Sequence, residues 1–211
     1  MIPNPTLIYH ITHVDNLSLI IGDGGLRCCA DLRRNKVGYR DIAYSHIQDR
    51  RATTRVPCGP RGALHDYVPF YFAPRSPMLY TIAQGNVPTY QEGQGPVVHV
   101  VSTVQAVQEV GEQFVFTDGH ATMMLSGFYE DVADLAQVDW SVMPLTYWND
   151  TPTYPDRKRR RQAEFLVHRY FPWELVTTIG VASEAMRARV QQALADAEHQ
   201  PVIQVRRDWY Y

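Results

Sequence analysis

Hydrophobic positions along this chain fall in short runs, separated by Gly, Pro and polar residues, and the runs alternate between two periods. Thr6 to Thr12 reads as a short, largely buried strand, and a helix follows from about Asp15, which can cap it, to Gly24-Gly25. Residues 27–40 show no period and carry Arg27, Arg33, Arg34, Lys36 and Arg40, the composition of a basic, mobile loop. Asp41 to Arg51 can form a helix with Ala43, Tyr44 and Ile47 on one side, and residues 52–66, with Pro57, Gly59, Pro60 and Gly62, form a loop. Tyr67 to Ala73 is an aromatic strand whose Pro69 suggests an edge or a bulge. Ser76-Pro77 opens a helix, with Ser as cap and Pro in the first turn.

The second half continues in the same manner. Val97 to Val101 is a strand of the fully buried type, Thr103 to Gly111 a helix and Gln113 to Thr117 a strand. Glu164 to Arg169 and Thr177 to Ala182 are strands, Ser183 to Ala197 is the clearest amphipathic helix, and Val202 to Val205 a last strand. Short strands interleaved with helices, without repeats or a low-complexity linker, predict an α+β fold in one domain over residues 1–211.

Charge changes this picture more than composition does. The net charge is only −2, yet five of the 20 Lys and Arg lie consecutively at 157–161, whereas Val104 to Asp156 contains neither residue. That polarisation steers a polyanion to one region. The three cysteines, Cys28, Cys29 and Cys58, fit no zinc spacing, so no metal is expected. Neither a secretory leader nor an apolar run of membrane-spanning length is visible, which predicts a reduced, cytoplasmic, soluble protein with no membrane partner. There is no Gly-x-Gly-x-x-Gly after a strand and no phosphate loop ending in Gly-Lys-Ser/Thr. Any nucleotide is therefore bound in some other way.

Four groups of residues can carry chemistry. On a strand His10 and Thr12 share one face, so His10 can present its imidazole to a cleft, although a core histidine fits the same spacing. Arg51 can act as a fixed donor to phosphate or to a developing anion, or it is surface charge. Tyr67, Phe70, Tyr71, Phe72 and Tyr80 offer faces for a flat heteroaromatic ring, or simply an aromatic core. Glu164 stands where the cationic run gives way to Ala163-Glu164-Phe165-Leu166-Val167, and a carboxylate entering a core is costly unless it is paired or does chemistry. A salt bridge to one of the five cations is the plain alternative.

Taken in order, Tyr9-His10-Ile11-Thr12-His13, Gln48-Asp49-Arg50-Arg51, Asp66-Tyr67-Val68-Pro69-Phe70-Tyr71-Phe72, Arg75-Ser76-Pro77-Met78-Leu79-Tyr80 and Arg161-Gln162-Ala163-Glu164-Phe165-Leu166-Val167 resemble the DarT family of DNA ADP-ribosyltransferase toxins. The resemblance reaches Arg207-Asp208-Trp209-Tyr210-Tyr211. It implies a compact ADP-ribosyltransferase fold, with short mixed or antiparallel sheets around an NAD cleft and flanking helices. It implies transfer of ADP-ribose from NAD to a base of single-stranded DNA, most often thymine, and a DarG-type macrodomain antitoxin as partner. A monomer is the default expectation.

The same resemblance assigns roles. His10, Thr12, Arg51, Tyr71 and Met78 are expected at NAD, with Glu164 as the catalytic acid at the ribose and Arg51 as the group that activates the base. Arg157, Lys158, Arg159, Arg160 and Arg161 are expected to track the DNA backbone, with Tyr147, Trp148 and Tyr154 exposed for base stacking. Asp49 and the stretch from Asp150 to Pro155 lie where variation in the preferred DNA sequence is expected. Rival readings are an ADP-ribosyltransferase acting on guanine, RNA or protein, and a non-catalytic nucleic-acid-binding module in which Glu164 serves only as a salt-bridge partner.

Overall fold

The computed structural model describes residues 1–211. In chain order the first half comprises β1 (Leu7–His13), α1 (Leu17–Gly22), β2 (Gly25–Arg27), α2 (Cys29–Arg34), α3 (Ser45–Thr53), β3 (Tyr67–Tyr71) and α4 (Pro77–Ala83). The second half comprises β4 (Val97–Thr103), α5 (Val104–Glu109), β5 (Phe114–Thr117), β6 (Phe128–Tyr129), α6 (Arg157–Arg160), β7 (Glu164–His168), β8 (Tyr170–Pro172), β9 (Thr178–Val181), α7 (Glu184–Ala193) and β10 (Val202–Val205). Eight strands form one sheet in the order β10-β9-β4-β1-β3-β7-β5-β6, antiparallel except between β9 and β10, and β2 pairs with β8 separately.

The sheet is two four-stranded halves joined at one place. β1 pairs with β4 along its whole length and β3 with β7 along its whole length. Between β1 and β3 the register holds only Tyr9↔Tyr71. Beyond that pair the strands diverge, and a gap opens in the middle of the sheet.

Period-two alternation explains how the faces are covered. Ile8 of β1, Val98 and Val100 of β4, Val68 and Phe70 of β3, and Phe165 and Val167 of β7 share the main core with Leu17 and Ile20 of α1, Val104 and Val107 of α5, and Val190 of α7. The opposite face is buried in two separate clusters. Tyr9, Ile11, Val97 and Val101 pack with Leu79 and Ile82 of α4 and with Trp209, while Tyr67, Val115 and Leu166 pack with Val56 and Leu64. Apolar burial at roughly 25 cal/mol per Å² holds each layer, and the space between the two smaller clusters is left to the site.

Local chemistry sets the element ends. Ser76 Oγ accepts the Leu79 N–H with Pro77 in the first turn of α4, Thr103 Oγ1 caps α5 at Ala106 N–H, and Ser183 Oγ caps α7 at Met186 N–H. Two expectations are corrected here. Residues 27–40 are not one loop, since Cys29–Arg34 is helical, with Asp31 in its first turn and Arg33 and Arg34 in its last, where they complement the helix dipole. Pro69 is neither an edge nor a bulge. It lies inside the sheet opposite Leu166, and its missing N–H falls on the side where β1 has already turned away.

Candidate active site

The gap between β1 and β3 opens into a cavity of about 500 Å³, inside the range of roughly 300–1,000 Å³ typical of ligand sites. Leu19 and Ile20 of α1 line it from one face of the sheet, and Met78 and Thr81 of α4 from the other. His10, Thr12, Arg51, Tyr71 and Glu164 all border it, so distant segments of sequence converge on one place.

Glu164 is the first residue of β7 and stands directly opposite Tyr71, which puts both side chains on the same face. The carboxylate is buried and held from two sides. Its Oε2 accepts from Arg51 Nη1 at 2.7 Å, and its Oε1 accepts from the Ala121 N–H at 3.0 Å. Its backbone N–H donates to Thr117 Oγ1 at 3.1 Å, which fixes the start of the strand. A carboxylate has about four lone-pair sites, so acceptor capacity remains toward the cavity.

Arg51 sits in the last turn of α3 and is itself buried. Burial pulls its pKa down, and the Glu164 charge and hydrogen bond more than offset this, so the guanidinium is held above its ordinary value. Its Nη2 is sealed from solvent with no partner. A donor left bare this way costs about 1–3 kcal/mol unless an acceptor arrives. Together with the spare carboxylate lone pairs it fits a ligand that brings both hydroxyls and carbonyl or phosphate oxygens. Burial, reinforced by the Glu164 charge, raises the Tyr71 pKa and keeps its phenol a neutral donor.

His10 bridges the gap in the sheet. Its Nδ1 donates to the Pro69 carbonyl at 2.8 Å, leaving Nε2 as an acceptor. Burial lowers its pKa despite that bond, so the ring is neutral at pH 7. Thr12 Oγ1 accepts from Asn16 Nδ2 at 3.0 Å, and Asn16 also holds both backbone groups of Arg40, at 2.7 and 2.9 Å. That clamp ties the segment carrying Tyr39, Asp41 and Ile42 to the wall of the cavity.

Among the cavity residues to which the sequence reading gave no role are Gln48 and His120. Gln48 lies one helical turn before Arg51, and its Oε1 meets His65 Nε2 at 3.0 Å; the spacing within Gln48-Asp49-Arg50-Arg51 was the available signal. His120 stands in the β5–β6 connection with Nδ1 4.0 Å from Glu164 Oε1. Nδ1 accepts the Thr122 N–H at 3.2 Å, so in the neutral ring Nε2 carries the proton. Burial lowers its pKa and favours that neutral form. Only the pairing of β5 with β7 brings it here, and no local motif announces it.

The cationic run divides rather than acting as one surface. Arg159 donates to both oxygens of Asp156, to Asp118 and to Ser126, and Arg160 reaches Asp139 and Asp156. These four ion pairs tie α6 to its neighbours and engage the charges of Arg159 and Arg160 within the protein. Arg161 is only 2% exposed and turns inward. Arg157 lies 4.8 Å over the Tyr154 ring, and Lys158 borders the cavity. Tyr147 and Tyr154 are exposed, but Trp148, at 7%, is buried, its ring set edge-on to Tyr80. Within α6 the cause is helix geometry: at about 100° per residue, successive side chains of the run face different neighbours.

No group of three or more His, Cys, Asp or Glu is arranged to hold a metal ion, and no helix is long and apolar enough to cross a membrane.

With this geometry in place, comparison with known proteins is consistent along the whole chain. The family model described as "ssDNA thymidine ADP-ribosyltransferase, DarT" matches residues 9–211. A DNA ADP-ribosyl transferase of Thermus sp. (strain 2.9) is 45% identical over 211 residues, covering 99% of this chain and 98% of the relative. The solved structure of Thermus sp. 2.9 DarT in complex with ADP-ribosylated ssDNA superposes with a TM-score of 0.92 over 99% of this chain and 98% of that one. Its complex with NAD+ does so at 0.89 and 42% identity, over the full length of both chains. A DNA ADP-ribosyl transferase–DNA ADP-ribosyl glycohydrolase fusion protein of Thermosipho africanus is 24% identical over 196 residues, matching 92% of this chain and 47% of the fusion.

Proposed function

As this chain belongs to the DarT family of single-stranded DNA thymidine ADP-ribosyltransferases, we propose that its cleft takes NAD+ and transfers the ADP-ribose unit to a thymine of single-stranded DNA, releasing nicotinamide. The observation that carries this reading is the buried Arg51–Glu164 pair on the cavity wall, where the carboxylate keeps acceptor capacity and one guanidinium donor is without a partner.

Bound there, NAD+ supplies a good leaving group, and breaking its nicotinamide–ribose bond builds positive charge on the sugar. Glu164 lies in a site of low dielectric, where a fixed carboxylate stabilises that charge more than water does, and its spare lone pairs orient the ribose hydroxyls. The Tyr71 ring, beside Glu164, offers a face to nicotinamide, and Met78 packs against the same ligand. His10, neutral and with Nε2 free, accepts from a ribose hydroxyl, with Thr12 beyond it on the same strand face.

The acceptor base loses its ring N–H proton to the Glu164 carboxylate as that nitrogen bonds the ribose anomeric carbon from which nicotinamide leaves. Arg51, held in its charged form by Glu164, donates through Nη2 to a base carbonyl and favours the anion. A stacked base cannot reach a cleft set in the middle of a sheet, so a single strand is the competent substrate. Arg157 and Lys158 meet the backbone, and Tyr147 and Tyr154 stack bases. All of these groups come from one chain, so a monomer suffices. A reaction that consumes NAD+ and modifies DNA fits the cytoplasm as its compartment. A macrodomain glycohydrolase is the fitting antitoxin partner, and the Thermosipho protein joins the two activities in one polypeptide.

Mass spectrometry of a thymidine-containing oligonucleotide incubated with protein and NAD+ tests the function. One added ADP-ribose, absent with Glu164→Gln, is the expected result. An unmodified strand across varied sequences, thymidine-rich ones included, overturns it.

A further inference from the structure

Two arginines outside the cavity lining lack any acid. Arg161 makes no side-chain hydrogen bond, and its Nε and Nη1 are sealed from solvent without a partner. Arg75, whose Nε is likewise sealed and bare, lies with its guanidinium 5.5 Å from the centre of the Tyr211 ring. Burial pushes the Arg161 pKa down to about 10; the neighbouring Tyr211 phenol opposes that fall and the Arg75 charge adds to it. The other buried arginine, Arg51, has Glu164 as counter-charge. Two like charges, one buried and one half-buried, with no carboxylate paired to either, are unfavourable together unless an anion completes the set.

The position says which anion. Arg161 is followed at once by Gln162, and Arg75 precedes Pro77 and Met78; Gln162, Pro77 and Met78 all line the cleft, whereas the two arginines do not. Tyr80 is edge-on to both Tyr211, at 5.1 Å, and Trp148, at 6.4 Å, and Tyr147 beside them is exposed. A phosphate next to stacking rings, one step from the reacting centre, is the pattern of a single-stranded nucleic-acid groove. We propose that Arg75 and Arg161 form the seat of one internucleotide phosphate of the DNA strand, next to the modified thymidine, and so set which nucleotide enters the cleft. This rests on the DNA-transferase reading above. It also gives the last residue of the cationic run a use distinct from its neighbours: Arg161 is a fixed anchor and Arg157 a solvated attractor.

The test walks a single uncharged methylphosphonate linkage along the oligonucleotide, using wild type, Arg161→Met, Arg161→Lys and Arg75→Met. At one linkage, wild-type kcat/KM for the strand should fall about tenfold or more, the size of a lost charge-assisted hydrogen bond. The same linkage should cost either Met variant no more than about twofold, because the interaction is already gone, whereas Arg161→Lys should retain part of the sensitivity. KM for NAD+ should not move. Thermal stability of Arg161→Met should hold or rise, since replacing an unpaired buried charge by an apolar side chain of similar length removes a cost.

Equal methylphosphonate sensitivity in wild type and variants at every linkage overturns the seat. So does a raised KM for NAD+ without any linkage coupling, which assigns the arginines to the dinucleotide's pyrophosphate. Loss of stability in Arg161→Met, with unchanged strand kinetics in Arg75→Met, makes them structural and also overturns it. If wild type forms no adduct on any strand, the transferase reading fails and the seat falls with it; an adduct without coupling removes the seat alone.

Discussion

Arg51 and Glu164 are 113 residues apart in sequence and meet at 2.7 Å in a place where both are buried. Such a pair is costly to break from one side, because the survivor remains as an uncompensated charge. Arg51→Ala or Glu164→Ala alone should lower stability by about 3–5 kcal/mol, whereas Arg51→Met combined with Glu164→Leu should cost much less than the sum. Urea unfolding of the four proteins checks this; additive losses would mean the pair is solvated in solution. All three variants should lack transferase activity.

The same pair separates two roles in kinetics. Arg51→Lys keeps a charge beside Glu164 but loses the fixed fork, so transfer to the strand should fall by about 100-fold or more with KM for NAD+ changed much less. A parallel rise in KM for NAD+ would make Arg51 a clamp on the dinucleotide instead.

Within the cationic run, neighbours should behave differently. Arg159 joins Asp156, Asp118 and Ser126, and its carbonyl accepts the His120 N–H, so Arg159→Ala should lose roughly 1–3 kcal/mol of stability and weaken activity by loosening the His120 loop. Arg157→Ala should leave stability unchanged and flatten the salt dependence of strand binding, by about 0.7 in slope for one phosphate. Thermal melts and binding at several salt concentrations tell them apart.

Stability should fall on acidification for an identifiable reason. His99 of β4 is fully buried, with Nε2 on the Pro74 carbonyl and Nδ1 near the Tyr210 hydroxyl, and burial pushes its pKa down to about 4. In the unfolded chain the ring titrates near 6.5, so between those values the unfolded state binds the extra proton. Stability is therefore full above about pH 6.5 and is lost progressively as pH falls toward 4, by a few kcal/mol in all. His99→Gln, which keeps a donor to Pro74, should flatten the melting temperature over that window. An unchanged slope would assign the acid sensitivity to other groups.

Gly180 on β9 has no room for a side chain: a Cβ there would sit 2.2 Å from the Trp209 ring. Gly180→Ala should displace the Trp209-Tyr210-Tyr211 end and cost about 1–3 kcal/mol. Calorimetry measures it directly, and Trp fluorescence reports the displacement.

The strands were legible because their apolar runs were bounded by caps and turns that work locally: Ser76, Thr103 and Ser183 each cap the helix their position suggests. His10, Arg51, Tyr71, Met78 and Glu164 were legible as a set only through family resemblance, since each alone has a plainer reading, and the structure brings all five to one cavity. What remained hidden depended on pairings of high sequence separation. His120 owes its place to β5 lying against β7, and the inward turn of Arg161 and the burial of Trp148 depend on packing with the chain's far end. A row of five cations looks uniform in sequence, but a helix turn distributes it in different directions.

The eight-stranded sheet lacks rungs in its middle, where β1 and β3 share only Tyr9↔Tyr71. His10 hangs on one half of the sheet; Tyr71 and Glu164 hang on the other, with Arg51 anchored to them. A molecule bound across that gap acts as the missing ladder, stitching two half-sheets that the backbone leaves unsewn. Occupancy of the cleft should therefore be felt as slowed amide exchange on both sides of the seam at once, making this protein's substrate a temporary part of its own fold.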